Sequence, residues 1–231
     1  MIFDEPARLA RLLAAQDRAK ALFAAIEEAG LIRGGVTEAE LSEEIHALAA
    51  DRFGLQAHWH KRVIRSGPHT LMGYPENPPD RTIEADDILF VDLGPVFDDY
   101  EADLGRTFVV GADPHRLRLA ADLPVVFDEL KAEYEAESQM TGAELYARAQ
   151  AAAARRGWVF GGTIAGHLVG EFPHTGFPGE RAVSYIAPGN GLPMREPDAD
   201  GRKRYWILEV HLVDAERGFG GFCEELLSTE A

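Results

Sequence analysis

Residues 88–108 read ILFVDLGPVFDDYEADLGRTF, and two aspartates inside this stretch, Asp92 and Asp103, organise the reading of the whole chain. Asp92 closes the apolar strand ILFVD. Asp103 precedes a second strand, RTFVVG, and Val96-Phe-Asp-Asp99 between them suits a turn. In an antiparallel hairpin with an even-length loop, directly opposed residues are an odd number apart. Asp92 and Asp103 are 11 apart, so the spacing predicts that they face each other on one side of a sheet. Bare carboxylates placed so would repel, and a cation between them turns that cost into binding.

The same pattern recurs towards the other end. Glu209 lies in YWILEV and Glu224 in GGFCEELL, 15 residues apart, with Glu216–Gly218 near the turn. Apolar neighbours surround Glu209, so an acid there needs a partner. Glu225 adjoins Glu224, and strand parity selects Glu224 for the face of Glu209. His167, in AGHLVGEFPH, adds an imidazole, and His174 follows seven residues later. Four carboxylates and one histidine suit two divalent ions about 3.5–4 Å apart. An oxygen-rich set favours Mn, or a neighbour such as Co or Fe. Singly, each residue has a plainer reading: Asp92 as a turn residue before Gly94, Asp103 as the cap of a bend, His167 as a satisfied core histidine.

Working outward, residues 7–29 carry apolar positions at three-to-four spacing and stop at Gly30, which predicts a helix. Thr37-Glu-Ala-Glu40 is a capping box that opens a second helix, ending at Gly54. Residues 57–74 read as strand and turn, broken at Gly67-Pro68. Asp113-Pro114 starts a third helix, which Pro124 interrupts or kinks. Thr141-Gly-Ala-Glu144 is a second capping box, and its helix ends near Gly157. Strands are expected over residues 159–165, 205–212 and 221–226. The stretch 175–204, rich in Gly, Pro and charge, reads as a long loop over a site. The two capping boxes lie 104 residues apart, and each helix ends in an Ala/Arg-rich turn and a glycine, a weak internal repeat.

Composition narrows the function. With 231 residues and 46% apolar content, the chain can bury a sizeable core. A net charge of −16 repels phosphate backbones and disfavours nucleic acid as a partner. No apolar run reaches membrane-spanning length, and no signal peptide is visible at the N-terminus. The single cysteine, Cys223, cannot form an internal disulfide, so a cytoplasmic location is expected.

VDLGPVFDDYEADLGRTF, GHLVGEFPH and the late CEELL together resemble the metal segments of the M24 superfamily of methionine aminopeptidase, prolidase, aminopeptidase P and creatinase, with Xaa-Pro peptidases as the nearest type. The resemblance implies an α+β pita-bread fold: two pseudo-twofold-related βα halves, roughly 1–112 and 113–231, around a curved, mainly antiparallel sheet. It implies a free-standing catalytic domain, without the N-terminal domain of prolidase and creatinase relatives. It implies that Asp92 chelates one ion, that Asp103 and Glu224 bridge two, and that His167 and Glu209 complete the other shell. Mn is the first choice, with Co, Fe or Zn as alternatives. Glu209 would be general base for hydrolysis through a metal-bound hydroxide, and His174 would contact the scissile amide.

The expected activity is a peptidase acting on a short peptide or N-terminal residue, Xaa-Pro among the candidates. A creatinase-like C–N hydrolase and a non-catalytic peptide-binding module are the alternatives. Relatives often dimerise, but through the domain missing here, so a homodimer stays open. The sequence departs from the family where a substrate-contacting histidine falls about 18 residues before the first aspartate. Tyr74 stands there, and His58, His60 and His69 are nearby substitutes without an assigned place.

Overall fold

The computed structural model describes residues 4–173 and 183–229. Helices α1 (Glu5–Glu28) and α2 (Glu38–Phe53) lead into β1 (Val63–Ser66) and a short 3-10 helix, Gly67–Leu71. Strands β2 (Ile88–Leu93), β3 (Val96–Phe97), β4 (Tyr100–Glu101) and β5 (Leu104–Val109) follow. Helices α3 (Pro114–Ala136) and α4 (Gly142–Arg155) come next, then β6 (Val159–Phe160), β7 (Gly166–Val169), β8 (Tyr205–Asp214) and β9 (Phe219–Leu226).

Local chemistry explains the helix ends. Thr37 and Thr141 each accept from the backbone three residues on, while Glu40 and Glu144 reach back to the cap residue, so both capping boxes form. Gly54 closes α2 in the left-handed conformation, at φ 61°. Pro124 does not end α3, which runs through it to Ala136. The apolar stripe of Leu119, Leu123, Val126, Phe127 and Leu130 packs on the sheet across that position. Tertiary burial therefore outweighs the hydrogen bond a proline forfeits.

Seven strands form one antiparallel sheet in the order β1-β2-β5-β9-β8-β6, with β7 also paired to β8. The α+β, mainly antiparallel expectation holds. Leu89, Val91 and Leu93 of β2 point to the core under α1 and α2, while Leu208, Val210 and Leu212 of β8 point to the core under α3 and α4. Strand alternation then turns Asp92, Glu209 and Glu224 to the opposite face.

Two strand assignments differ from expectation. The strand read over 159–165 covers only Val159–Phe160, because Gly161 and Gly162 follow. The strand that carries His167 begins instead at Gly166. There φ is +138°, and a Cβ would lie 2.0 Å from the Ile207 carbonyl oxygen, so only glycine fits. Within the expected loop 175–204, residues 174–182 lie outside the described residues. The remainder, 183–204, holds turns and isolated bridges, one of them pairing Tyr185 with His167.

Candidate metal centre

The sheet register places the acids in a row. Asp92 pairs with Gly105, Gly105 with Glu224, and Glu224 with Glu209, across four adjacent strands. Glu209 and Glu224 are directly opposed, as their odd separation predicts. Asp92 and Asp103 are not: the register puts Asp103 two residues before the partner of Asp92. Residues between the strands form their own small hairpin, β3–β4, turning at Asp98 and Asp99 with φ 50° and 65°. That hairpin shifts the pairing by two residues. A shift of two preserves parity, so Asp103 stays on the same face as a diagonal neighbour. Parity also separates Glu224 from Glu225, which lies on the other face and pairs with Arg106 and Lys20.

Five predicted ligands therefore converge. Asp92, Asp103 and Glu224 are buried, and the Glu209 and His167 side chains are each 16% exposed. His167 Nε2 lies 3.0 Å from Asp103 Oδ2 and 3.7 Å from Glu209 Oε1. Donor atoms of Asp103, His167 and Glu224 lie within 4.8 Å of one another. They line a cavity of about 1180 Å³, whose wall also includes Tyr74, Phe90, Tyr185, His211 and Phe222. Tyr74 sits at its mouth, 52% exposed. His174 lies outside the described residues.

His60 joins this cluster without having been placed by its sequence. Its Nε2 lies 3.1 Å from Asp103 Oδ1 and 3.5 Å from Asp92 Oδ1. A Cβ at Gly94 would fall 2.2 Å from the His60 ring, so the glycine two residues after Asp92 makes room for it. The other two histidines serve elsewhere. His69 Nδ1 meets the Glu38 carboxylate at 3.0 Å, and His58 forms a bridge to Pro95. The signal that could have found His60 is its local run, His58-Trp59-His60, which joins helix to sheet and follows no ligand spacing.

The electrostatics are those of acids crowded with too few counterions. Burial raises the Glu209 carboxyl to about 7 and the Asp92 carboxyl to about 6, against the pull of His167 and His60. Burial and the charges of Asp103, Asp92 and Glu209 push Glu224 well above the usual range. Burial also resists ionisation of Asp103, but hydrogen bonds to His167 and His60 outweigh it and hold Asp103 at about 2. The two rings are themselves raised to about 9: burial opposes their charge, and the adjoining carboxylates overcome it. Among the described residues Asp92 Oδ1 and Glu224 Oε1 accept no hydrogen bond, and Asp92 Oδ1 has only the His60 ring 3.5 Å away. A buried unpartnered acceptor costs about 1–3 kcal/mol, and neighbouring carboxylates repel by several more. Divalent cations would remove both costs, and the donor set fits them.

Residues 10–198 match the sequence family described as Metallopeptidase family M24. The chain belongs to that family. No curated protein sequence matches this M24 chain. Solved structures do. A prolidase from Thermococcus sibiricus is 21% identical with TM-score 0.70, over 96% of this chain and 56% of the prolidase. An X-Pro aminopeptidase from Thermotoga maritima is 20% identical with TM-score 0.72, over 100% of this chain and 62% of its own. A methionine aminopeptidase from Thermotoga maritima is 15% identical with TM-score 0.70, over 100% of both chains. The M24 chain thus has the pita-bread fold and spans little more than half the prolidase. Among the described residues no helix is long and apolar enough to cross a membrane.

Proposed function

We propose that the protein is a dinuclear metal-dependent peptidase that removes an N-terminal residue or cleaves a short peptide, with Xaa-Pro bonds as the first substrate class. One observation carries this reading: the carboxylates of Asp92, Asp103, Glu209 and Glu224 gather on one face with His167, and two of their oxygens accept no hydrogen bond among the described residues. Asp92, Asp103, Glu224, His167 and Glu209 would together hold the ions, with His167 and Glu209 as ligands of the ion farther from Asp92. Mn is the first candidate on oxygen count. When bound, the ions would polarise a carbonyl and acidify water.

The chain's own residues supply the rest. The Glu209 carboxylate, facing the cavity, would take a proton from attacking water and pass it on. His167 is held by its Nδ1–H, which donates to the Leu168 carbonyl at 2.8 Å and fixes the ring. Tyr74 and Tyr185 flank the opening, where they would contact substrate, and Phe90 and Phe222 give the cavity apolar walls. His174 would bind the scissile amide. Relatives named for prolidase and X-Pro aminopeptidase activity support the substrate class.

The test is a parallel assay of Xaa-Pro, Xaa-Pro-x, Met-Ala-x and creatine after reconstitution with Mn, with metal analysis of the same sample. Turnover of an Xaa-Pro substrate with about two ions per chain is expected. No bound ion at micromolar supply overturns the metal centre, and hydrolysis of creatine alone overturns the peptidase assignment.

A further inference from the structure

His60 and His167 approach Asp103 in the same way. His60 Nδ1 lies 2.6 Å from the Lys61 carbonyl oxygen, and His167 Nδ1 lies 2.8 Å from the Leu168 carbonyl oxygen. A carbonyl only accepts, so Nδ1 carries the hydrogen in both rings. The other nitrogen, Nε2, is then aimed at carboxylates: His60 at Asp103 Oδ1 and Asp92 Oδ1, His167 at Asp103 Oδ2 and Glu209 Oε1. Each oxygen of Asp103 thus faces one imidazole. A fixed tautomer with Nε2 turned to carboxylate oxygens is how a histidine is prepared to ligate.

The surroundings of His60 are built to hold it there. Its side chain is 7% exposed. The Trp59 ring meets it edge-on at 4.4 Å and the Tyr74 ring at 5.9 Å. Trp59 N–H donates to the Gly94 carbonyl at 2.9 Å, which ties the segment to the end of β2. Gly94 itself leaves the space the ring occupies. Donor atoms of His60, Asp92 and Asp103 lie within 4.8 Å of one another, a separate triad from Asp103, His167 and Glu224.

We propose that His60 is a sixth metal ligand, giving the ion at Asp92 and Asp103 an imidazole of its own to match His167 on the other ion. The proposal rests on the dinuclear reading above. It has a chemical consequence. Imidazole suits Fe, Ni and Zn better than Mn, so His60 shifts the Asp92 side of the centre towards those metals and away from an all-oxygen Mn site.

The full chain, stripped with chelator, is titrated with Mn(II), Co(II) and Zn(II) by calorimetry, and directly bound imidazoles on Mn(II) are counted by pulsed electron paramagnetic resonance. Wild type is expected to bind two ions and show two imidazole couplings. His60→Ala should lose one coupling and weaken one of the two sites about 10–100-fold, with a larger loss for Co and Zn than for Mn. Gly94→Ala keeps His60 but pushes its ring aside, and should reproduce the loss. It also reports if His60→Ala does not fold. A single imidazole in wild type overturns the proposal, as does unchanged affinity with an unchanged imidazole count in either variant. In that outcome His60 is only a countercharge to the acids. If wild type binds no ion, the dinuclear reading falls and this proposal falls with it.

Discussion

Glu38 and Glu224 are both buried glutamates, 6% and 3% exposed, and their surroundings differ in kind. The Glu38 carboxylate accepts from Ser66 N–H at 2.6 Å, from the Ser66 hydroxyl at 2.8 Å, and meets His69 at 3.0 Å. Nearby Asp87, also buried, accepts from Arg81 and from the Glu84 N–H. These acids are neutralised by protein donors and serve to lock β1 and its 3-10 helix against α2. Glu224 meets Asp92, Asp103 and Glu209, which are more acids, and its Oε1 has no partner. Burial therefore does not distinguish a structural acid from a functional one. The supply of donors does: an acid that the fold has satisfied is structure, and acids left to face one another are the candidates to hold a ligand.

The sharpest way to break this contrast is Asp103→Ala. It removes the carboxylate that both imidazoles face. Metal binding should be lost, and turnover should drop by about a thousandfold or more, since bound ions contribute several kcal/mol. Wild-type metal content in this variant would place the centre elsewhere. Glu38→Ala should do the opposite. Stranding Ser66 and His69 costs about 3 kcal/mol, or roughly 6–12 °C in Tm for a chain of this size, while metal affinity stays put. Thermal melts with parallel metal titrations check both halves of that statement.

A pH series sharpens the comparison further. Glu209 and Asp92 have folded pKa values above their ordinary ones, and so do His60 and His167. At these four groups the folded, metal-free protein binds more protons than the unfolded chain does. These groups favour folding at low pH, and that contribution is lost as pH rises through about 6–7 for the acids and about 9 for the rings. Within the cluster Asp103, held at about 2, is the exception and contributes stability that is lost as pH falls below its ordinary range. Metal replaces the protons, so adding it should raise Tm more at pH 8 than at pH 5.5. At 100-fold excess over Kd the gain is about 2.7 kcal/mol. An equal shift at both pH values would contradict the crowded-acid account. The smallest effect should come from Glu225→Gln, one residue from Glu224 but on the other face. Its pairs with Lys20 and Arg106 contribute about 1 kcal/mol or less, and metal content should not change.

Much of this was legible beforehand, and the reason is parity. Odd separations put Asp92 with Asp103 and Glu209 with Glu224 on one face for any even-length loop, so the acids share a face although the Asp92 register was two residues off. Capping boxes are equally local, and both form as read. What depended on long-range contact was not legible. Pro124 sits inside a helix because the sheet beneath it provides burial. The strand carrying His167 starts at Gly166, a glycine needed for the close approach to Ile207. His60 enters the site through packing on Gly94 and Tyr74, with no spacing rule to announce it.

The sheet order has a consequence for how the protein is made. Strand β9, the last of the described strands, lies between β5 and β8 in the middle of the sheet. Until residues 219–226 leave the ribosome, β5 and β8 each present an open edge where a neighbour should be. Asp92 and Asp103 wait on one side of that gap, and Glu209 and His167 on the other. A nascent chain can gather neither the finished sheet nor the full acid cluster, and one late strand completes both at once. Chaperone dependence and loss of soluble yield on late truncation are the costs expected of such an assembly order.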